Sequence, residues 1–427
     1  MIDPTIPARE AQALREVGRT EIRPAVAALL VLAFLTTVSG VPLVQAIADL
    51  RAPEGSSIWP RLRPLAASLP RALGASKTSI LDVNRRLQRA VDRFEERLED
   101  ESVARSRILP RAQRLLTGLF GIGSEQAYVG RDGWLFFRED FEHVTGKGFL
   151  EPKVLERARL DGERDADPIP AILQLRDDLA RRGMRLVVVP TPVKPTVHPE
   201  YLDADSRGFI HNASFPDFVG RLESAGVSVF DPGPVLARLK RETRARLYLR
   251  TDTHWTPRAV DTVASALAEL VTDLVQWTSP PIQFRRRSAS VQGRGDTAAM
   301  LGLRDPSVLY PPERVEVATV LLPTGTTWKP SPGAEVLILG DSFTNVYSDG
   351  DLGWGTAAGL AEQLSFHLGR PVDRIAFNAG GASVSRRAFL AVQPARLEPK
   401  KLLIYQFAAR ELSDGDWTVL PLPAADR

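Results

Sequence analysis

The list of possible imidazole bases in this chain of 427 residues is short, His143, His198, His211, His254 and His367, and there is no cysteine. Thiol nucleophiles, disulfides and thiolate-bound metals are excluded, so any nucleophile must be some other group. One serine is placed for it. The apolar run Val336-Leu337-Ile338-Leu339 leads directly into Gly340-Asp341-Ser342-Phe343-Thr344. A buried strand ending there puts Ser342 just outside its carboxyl end, where open α/β sheets bind ligands. Gly-Asp-Ser alone also describes an ordinary turn, and a nucleophilic serine needs a base and a group that orients the base.

Arg250-Thr251-Asp252-Thr253-His254-Trp255-Thr256-Pro257 supplies both. The two-residue spacing of Asp252 and His254 puts their side chains on one side of an extended segment. Thr256 and Pro257 read as the N-cap and first position of a helix that carries Leu267 to Leu274. Ser342, His254 and Asp252 thus fill the roles of nucleophile, base and orienter, which are recognised by role and not by chain order. A capping Asp252 with a structural His254 is the plain alternative. No further His, Asp or Glu cluster stands nearby to complete a metal site, so no metal is expected. Asn378-Ala379-Gly380-Gly381 follows the predicted strand 374–377, and amides at Gly380 and Gly381 could join the Ser342 amide in binding an oxyanion. A strand-to-helix turn explains those glycines as well. Trp255 either walls the pocket or packs in the core. Gly133-Trp134-Leu135-Phe136 reads as buried aromatic packing; Lys194 and His198, after a strand end, read as solvated loop before site members, and the run Arg285-Arg286-Arg287 reads as solvated loop.

The elements that position these residues alternate. Residues 185–190, 336–339, 374–377 and 402–405 read as strands separated by helical stretches, which predicts an α/β layer fold with a mostly parallel sheet. Residues 24–48 carry no charge and form a run long enough to span a bilayer. Ala46-Ile47-Ala48 resembles a signal-peptidase site, but the run exceeds the h-region of a removed leader, about 7–15 residues. An uncleaved anchor is expected, with arginines on both sides too evenly placed to set its orientation. A Pro-, Ala- and Ser-rich linker follows to Pro70, and then Val83, Leu87, Val91, Phe94 and Leu98 make one apolar stripe of a helix. The predicted organisation is an N-terminal segment 1–23, an anchor 24–48, a linker and helical lead-in 49–120 and a catalytic body 121–420. With 55 Lys and Arg against 52 Asp and Glu, no nucleic-acid partner is expected.

Four motifs in order give a resemblance: the segment from Tyr128 to Phe136, Val189 to Lys194 with His198-Pro199-Glu200-Tyr201, Thr251 to Pro257, and Gly340 to Phe343. Over roughly residues 83–412 the chain resembles the alginate O-acetyltransferase AlgJ/AlgX family of SGNH-hydrolase-like proteins, in which Asp-x-His also precedes Gly-Asp-Ser. The resemblance implies a three-layer SGNH-like fold and a serine acyl-enzyme. In it Ser342 accepts acetyl, His254 moves its proton and Asp252 orients His254, with no cofactor. It also implies a single-pass inner-membrane protein with its catalytic domain in the periplasm, a polysaccharide acceptor, and an acetyl-donating membrane acyltransferase of the MBOAT type. The family's Gly-x-Asn-Asp block is replaced near Gln406, Arg410 and Glu411. The second oxyanion donor is therefore unassigned, and Arg410 joins Trp255 as a substrate-binding candidate. Few residues follow the last motif, as in AlgJ-type members without a C-terminal carbohydrate-binding module. A carbohydrate O-acetylesterase, or a non-catalytic scaffold of a polysaccharide secretion complex, is the alternative function.

Overall fold

The computed structural model describes residues 23–51, 88, 102, 108–162, 164–206 and 208–422. Residues 1–22, the linker beyond Arg51 and the stripe Val83, Leu87, Val91, Phe94 and Leu98 lie outside them. The chain falls into two units, Met1–Ala112 and Gln113–Arg427.

In the first unit, helix α1 (Pro24–Arg51) has no charged residue before Asp49. Its 22-residue segment Pro24–Gln45 contains an 18-residue window of mean hydropathy 2.2. At about 1.5 Å per residue such a helix matches the roughly 30 Å apolar core of a bilayer. Leu29, Leu32 and Phe34 are all more than 60% exposed, so the helix presents a strongly apolar surface. In the expected lead-in, helix α2 (Leu109–Phe120) is the described element.

The second unit is built on a sheet of five parallel strands in the order β4-β3-β9-β7-β8. Their ranges are β3 (Arg185–Thr191), β4 (Ser228–Val229), β7 (Val336–Gly340), β8 (Val372–Ala376) and β9 (Leu402–Ala408). Side chains alternate between the faces of a strand, and here both faces are apolar. Leu186, Val188, Leu337, Leu339, Leu403 and Tyr405 pack on one side with Leu175 and Leu179 of α3 (Pro168–Ala180). Val187, Val189, Val336, Ile338, Leu402 and Ile404 pack on the other with Leu267 and Val271 of α4 (Pro257–Leu274). That is why the strands read as unbroken apolar runs: a parallel sheet is covered twice, and each buried Val or Leu contributes about 1.5–3 kcal/mol. The fold is the expected three-layer α/β sandwich.

Two antiparallel pairs complete the unit: β1 (Ala127–Val129) with β2 (Leu135–Phe137), and β5 (Arg285–Gly293) with β6 (Glu313–Leu321). The second corrects the reading of Arg285-Arg286-Arg287 as a loop. The run opens a strand whose middle arginine turns inward, pairing with Asp261 and lying 3.7 Å from the Phe366 ring centroid, while its neighbours face water. The carboxyl ends of β3, β7 and β9 lead directly to Lys194, Ser342 and Arg410. The candidate residues therefore collect at one edge of the sheet.

Candidate active site

Ser342 opens a single helical turn, Ser342–Asn345, directly after β7. Asp341 caps that turn by accepting from the Phe343 amide at 2.8 Å, and its other oxygen accepts from the Ala408 amide at the end of β9 at 2.6 Å. Gln406 lies beneath: its Oε1 accepts from the Asp341 amide at 3.1 Å and the Thr344 hydroxyl at 2.6 Å, and its Nε2 donates to Thr191 at 3.0 Å. Gly340 permits this close turn, since a Cβ there would lie 2.3 Å from Thr344 Oγ1. Gln406 is thus fully engaged in holding the turn.

Asp252 and His254 meet as their spacing predicts. His254 Nδ1 lies 2.6 Å from Asp252 Oδ1, which also accepts from the His254 amide at 3.0 Å. Asp252 Oδ2 accepts from the Trp354 indole at 2.9 Å and from the Asp296 amide at 3.1 Å. A carboxylate is an acceptor only, so Nδ1 carries the hydrogen and Nε2 keeps its lone pair. Thr253 Oγ1, 3.1 Å from Nδ1, donates its own hydrogen to Asp296 Oδ2 at 2.6 Å and so fits the same tautomer. Burial lowers the His254 pKa, but the Asp252 carboxylate outweighs it and leaves the pKa above the ordinary histidine value. Burial raises that of Asp252, and the imidazole with the Trp354 and amide hydrogen bonds brings it below the usual carboxylate range.

His254 Nε2 is buried without a hydrogen-bond partner. The imidazole packs on the Phe343 ring, centroids 4.8 Å apart, so the base and the Ser342 turn are neighbours through the residue after the serine. Ser342 and His254 are not themselves hydrogen-bonded in this structure. Catalytic bonds of this kind commonly tighten only when substrate is bound.

Other placements differ from expectation. Trp255 is fully buried, donates to the Phe343 carbonyl at 3.0 Å and meets that ring edge-on, so it is core and not a sugar platform. The extended segment that points His254 one way points its neighbour the other. Gly380 and Gly381 sit at the start of helix Gly381–Leu390, but the adjacent Ala382 amide donates to Glu411 at 2.9 Å. A Cβ on Gly381, whose φ is +57°, would lie 2.4 Å from that carboxylate. The turn thus serves an anion of the chain itself. Arg410 donates to Asp140 at 2.8 Å and sits 5.9 Å from the Phe343 ring centroid, beside the site but already paired. Lys194 and His198 are not solvated: they are 0% and 2% exposed. Trp134 and Phe136 are buried as expected, and Trp134 stacks on Tyr201 at 4.0 Å.

Sequence reasoning missed Asp296, Glu313 and Trp354. Glu313 accepts from the Arg250 amide at 3.1 Å and from the Thr251 amide at 2.9 Å. Gly295 brings Asp296 in, since a Cβ there would lie 1.8 Å from the Thr251 carbonyl oxygen. These partners lie 44 to 102 residues from the segment they hold, and no local spacing marks them. Asp296 also corrects the view that nothing completes a metal cluster: Asp252, His254 and Asp296 each bring a ligand atom within 4.8 Å of the others. Those atoms are engaged in the hydrogen bonds above, which a cation would have to displace.

The family profile for the SGNH hydrolase-like domain of acetyltransferase AlgX matches residues 127–409. The chain is 25% identical over 318 residues to the "Probable alginate O-acetylase AlgJ" of Pseudomonas aeruginosa, covering 70% of this chain and 75% of that protein. It is 25% identical over 260 residues to the "Alginate biosynthesis protein AlgX" of the same organism, covering 58% and 52%. The solved O-acetyltransferase domain of Pseudomonas putida AlgJ shares the fold, with a TM-score of 0.51 at 24% identity over 67% of this chain and 92% of that one. The chain belongs to the SGNH hydrolase-like, AlgX-type acetyltransferase family and is an O-acetyltransferase.

Proposed function

We propose that this protein acetylates polysaccharide hydroxyls through an acetyl-Ser342 intermediate, with His254 as the base and Asp252 as its orienter. The observation that carries the reading is the bare, buried Nε2 of His254, on a ring whose Nδ1 is bonded to Asp252 and whose face rests on Phe343. Leaving a buried polar atom unpaired costs about 1–3 kcal/mol, a cost that makes sense where a proton must arrive. In the reaction Nε2 takes the Ser342 Oγ proton as Oγ attacks the acetyl carbonyl. The imidazolium then returns the proton to the departing donor group. An acceptor hydroxyl gives its proton to Nε2 as its oxygen attacks the acyl-serine, and the acetyl-sugar leaves as Ser342 is reprotonated. The Ser342 amide is the first candidate donor to the oxyanion.

The names of the relatives supply alginate, and we take an alginate-like exopolysaccharide as the substrate class. In this reading α1 anchors the protein in the inner membrane with the second unit in the periplasm, and an MBOAT-type membrane acyltransferase provides the acetyl group. The test is an assay of the purified protein with an acetyl donor and uronic-acid oligosaccharides. Acetylated oligosaccharide, absent with Ser342→Ala, is expected. Free acetate alone, whatever the acceptor, would mark a hydrolase and overturn the transferase reading.

A further inference from the structure

Lys194 is a fully buried charge beside the site, and the chemistry above does not use it. It lies just past β3 with no exposed surface. Its ammonium sits 5.1 and 5.2 Å from the ring centroids of Trp134 and Phe136. It donates to the carbonyls of Arg250 at 2.8 Å and Asp252 at 2.9 Å, and to that of Leu135. An ammonium has three hydrogens, so its donors are saturated. Two of its three acceptors belong to the segment that carries the Asp252–His254 pair, and the third belongs to β2.

The reason lies in the backbone. Residues 250–254 are not part of a strand ladder, and β2 reaches them only through the Leu135 amide, yet buried amides and carbonyls must be paired. Glu313 takes the Arg250 and Thr251 amides, Asp296 takes that of Thr253 and Asp252 takes that of His254. On the carbonyl side, Ala298 serves Thr251 and Leu249 serves His254. Lys194 serves Asp252, and shares Arg250 with the Leu135 amide. It supplies the donors that a neighbouring strand would have offered.

We propose that Lys194 is a positioning residue whose ammonium, bonded to the Arg250 and Asp252 carbonyls, sets the place of His254 opposite Ser342, and that loss of this ammonium sets the alkaline limit of activity. The proposal rests on the reading of Ser342, His254 and Asp252 as the reacting groups. Burial lowers the Lys194 pKa to about 8, against the opposing pull of Asp252, Glu313, Asp296 and Asp140; His198 is the imidazole on its other side, and burial keeps it neutral. As pH rises through that value the amine keeps two hydrogens, and its new lone pair faces a carbonyl oxygen. One of the three bonds becomes a repulsion.

The experiment compares kcat/KM against pH for the full chain and for Lys194→Met, with Ser342→Ala as the control. In the wild type a falling limb centred near pH 8 is expected. In Lys194→Met that limb should vanish, and kcat should fall about 100-fold with KM unchanged, the size expected for a small misplacement of a catalytic group. A Lys194→Met profile matching the wild type in both plateau and alkaline limb would overturn the proposal. If Lys194→Met does not fold, as judged by circular dichroism, lysine side-chain NMR of the wild type decides. A lysine titrating together with the alkaline limb supports the proposal, and none doing so overturns it. Undiminished activity in Ser342→Ala would instead overturn the underlying reading, whatever Lys194 does.

Discussion

The turn that carries Ser342 is made by its own strand and that strand's neighbour, whereas the segment that carries His254 is held by side chains gathered from across the chain. Asp341 is adjacent to the serine, and the Ala408 amide and Gln406 come from β9, which pairs with β7. The His254 segment instead depends on Lys194, Asp296, Glu313 and Trp354, which lie on four other parts of the second unit. Such a serine is rigid because the sheet is rigid. The histidine is only as well placed as a charged network allows, so substitutions far from the chemistry should act on the base more than on the nucleophile.

The contrast yields predictions in descending order of effect. Ser342→Ala removes the nucleophile, and kcat should fall by about 10⁶-fold with the melting temperature nearly unchanged. Asp252→Asn leaves the segment in place but frees the tautomer, and should lower kcat by about 10⁴-fold. It should also move the pH profile. Only neutral His254 can take a proton, so kcat/KM of the wild type rises with pH through a value above the ordinary histidine pKa. Without the carboxylate that raises it, the rise should shift to lower pH. An unshifted rise in Asp252→Asn would mean that another group sets it.

Trp354→Phe removes one donor to Asp252 Oδ2. A hydrogen bond to a charged group is worth about 1.5–3 kcal/mol, so kcat/KM should fall about 10- to 100-fold. Gln406→Leu is the matching change on the serine side. It leaves the Asp341 amide and the Thr344 hydroxyl buried and unpaired, and should lower the unfolding free energy by about 1–3 kcal/mol in urea titrations. The protein that remains folded should lose less activity than Trp354→Phe. Equal losses from the two would erase the distinction between the halves of the site.

That distinction also sets what could be read from the residues alone. Gly340 to Thr344 and Asp252 to His254 are short-range patterns, because strand ends, caps and alternation operate over a few residues. The parallel sheet was legible for the same reason: a strand covered on both faces is apolar throughout. Lys194 was misread because a lysine after a strand usually faces water; its burial depends on Trp134, Phe136 and carbonyls some 56 to 59 residues away. Trp255 was ambiguous because alternation says which side a residue faces but not what fills that side. Gly380 and Gly381 fit an oxyanion site and a strand-to-helix turn alike, because the Glu411 carboxylate that occupies the turn comes from 29 residues beyond Ala382.

The central claim is that an acetyl group passes through Ser342. The direct measurement is mass spectrometry of the protein quenched in acid within its first turnover on an activated acetyl ester, followed by digestion. One acetyl group should appear on Ser342 in the wild type, form far more slowly in His254→Ala, and disappear when an acceptor oligosaccharide is added before the quench. Turnover with no acetyl on Ser342 at any quench time, or acetylated oligosaccharide formed at the wild-type rate by Ser342→Ala, would contradict it.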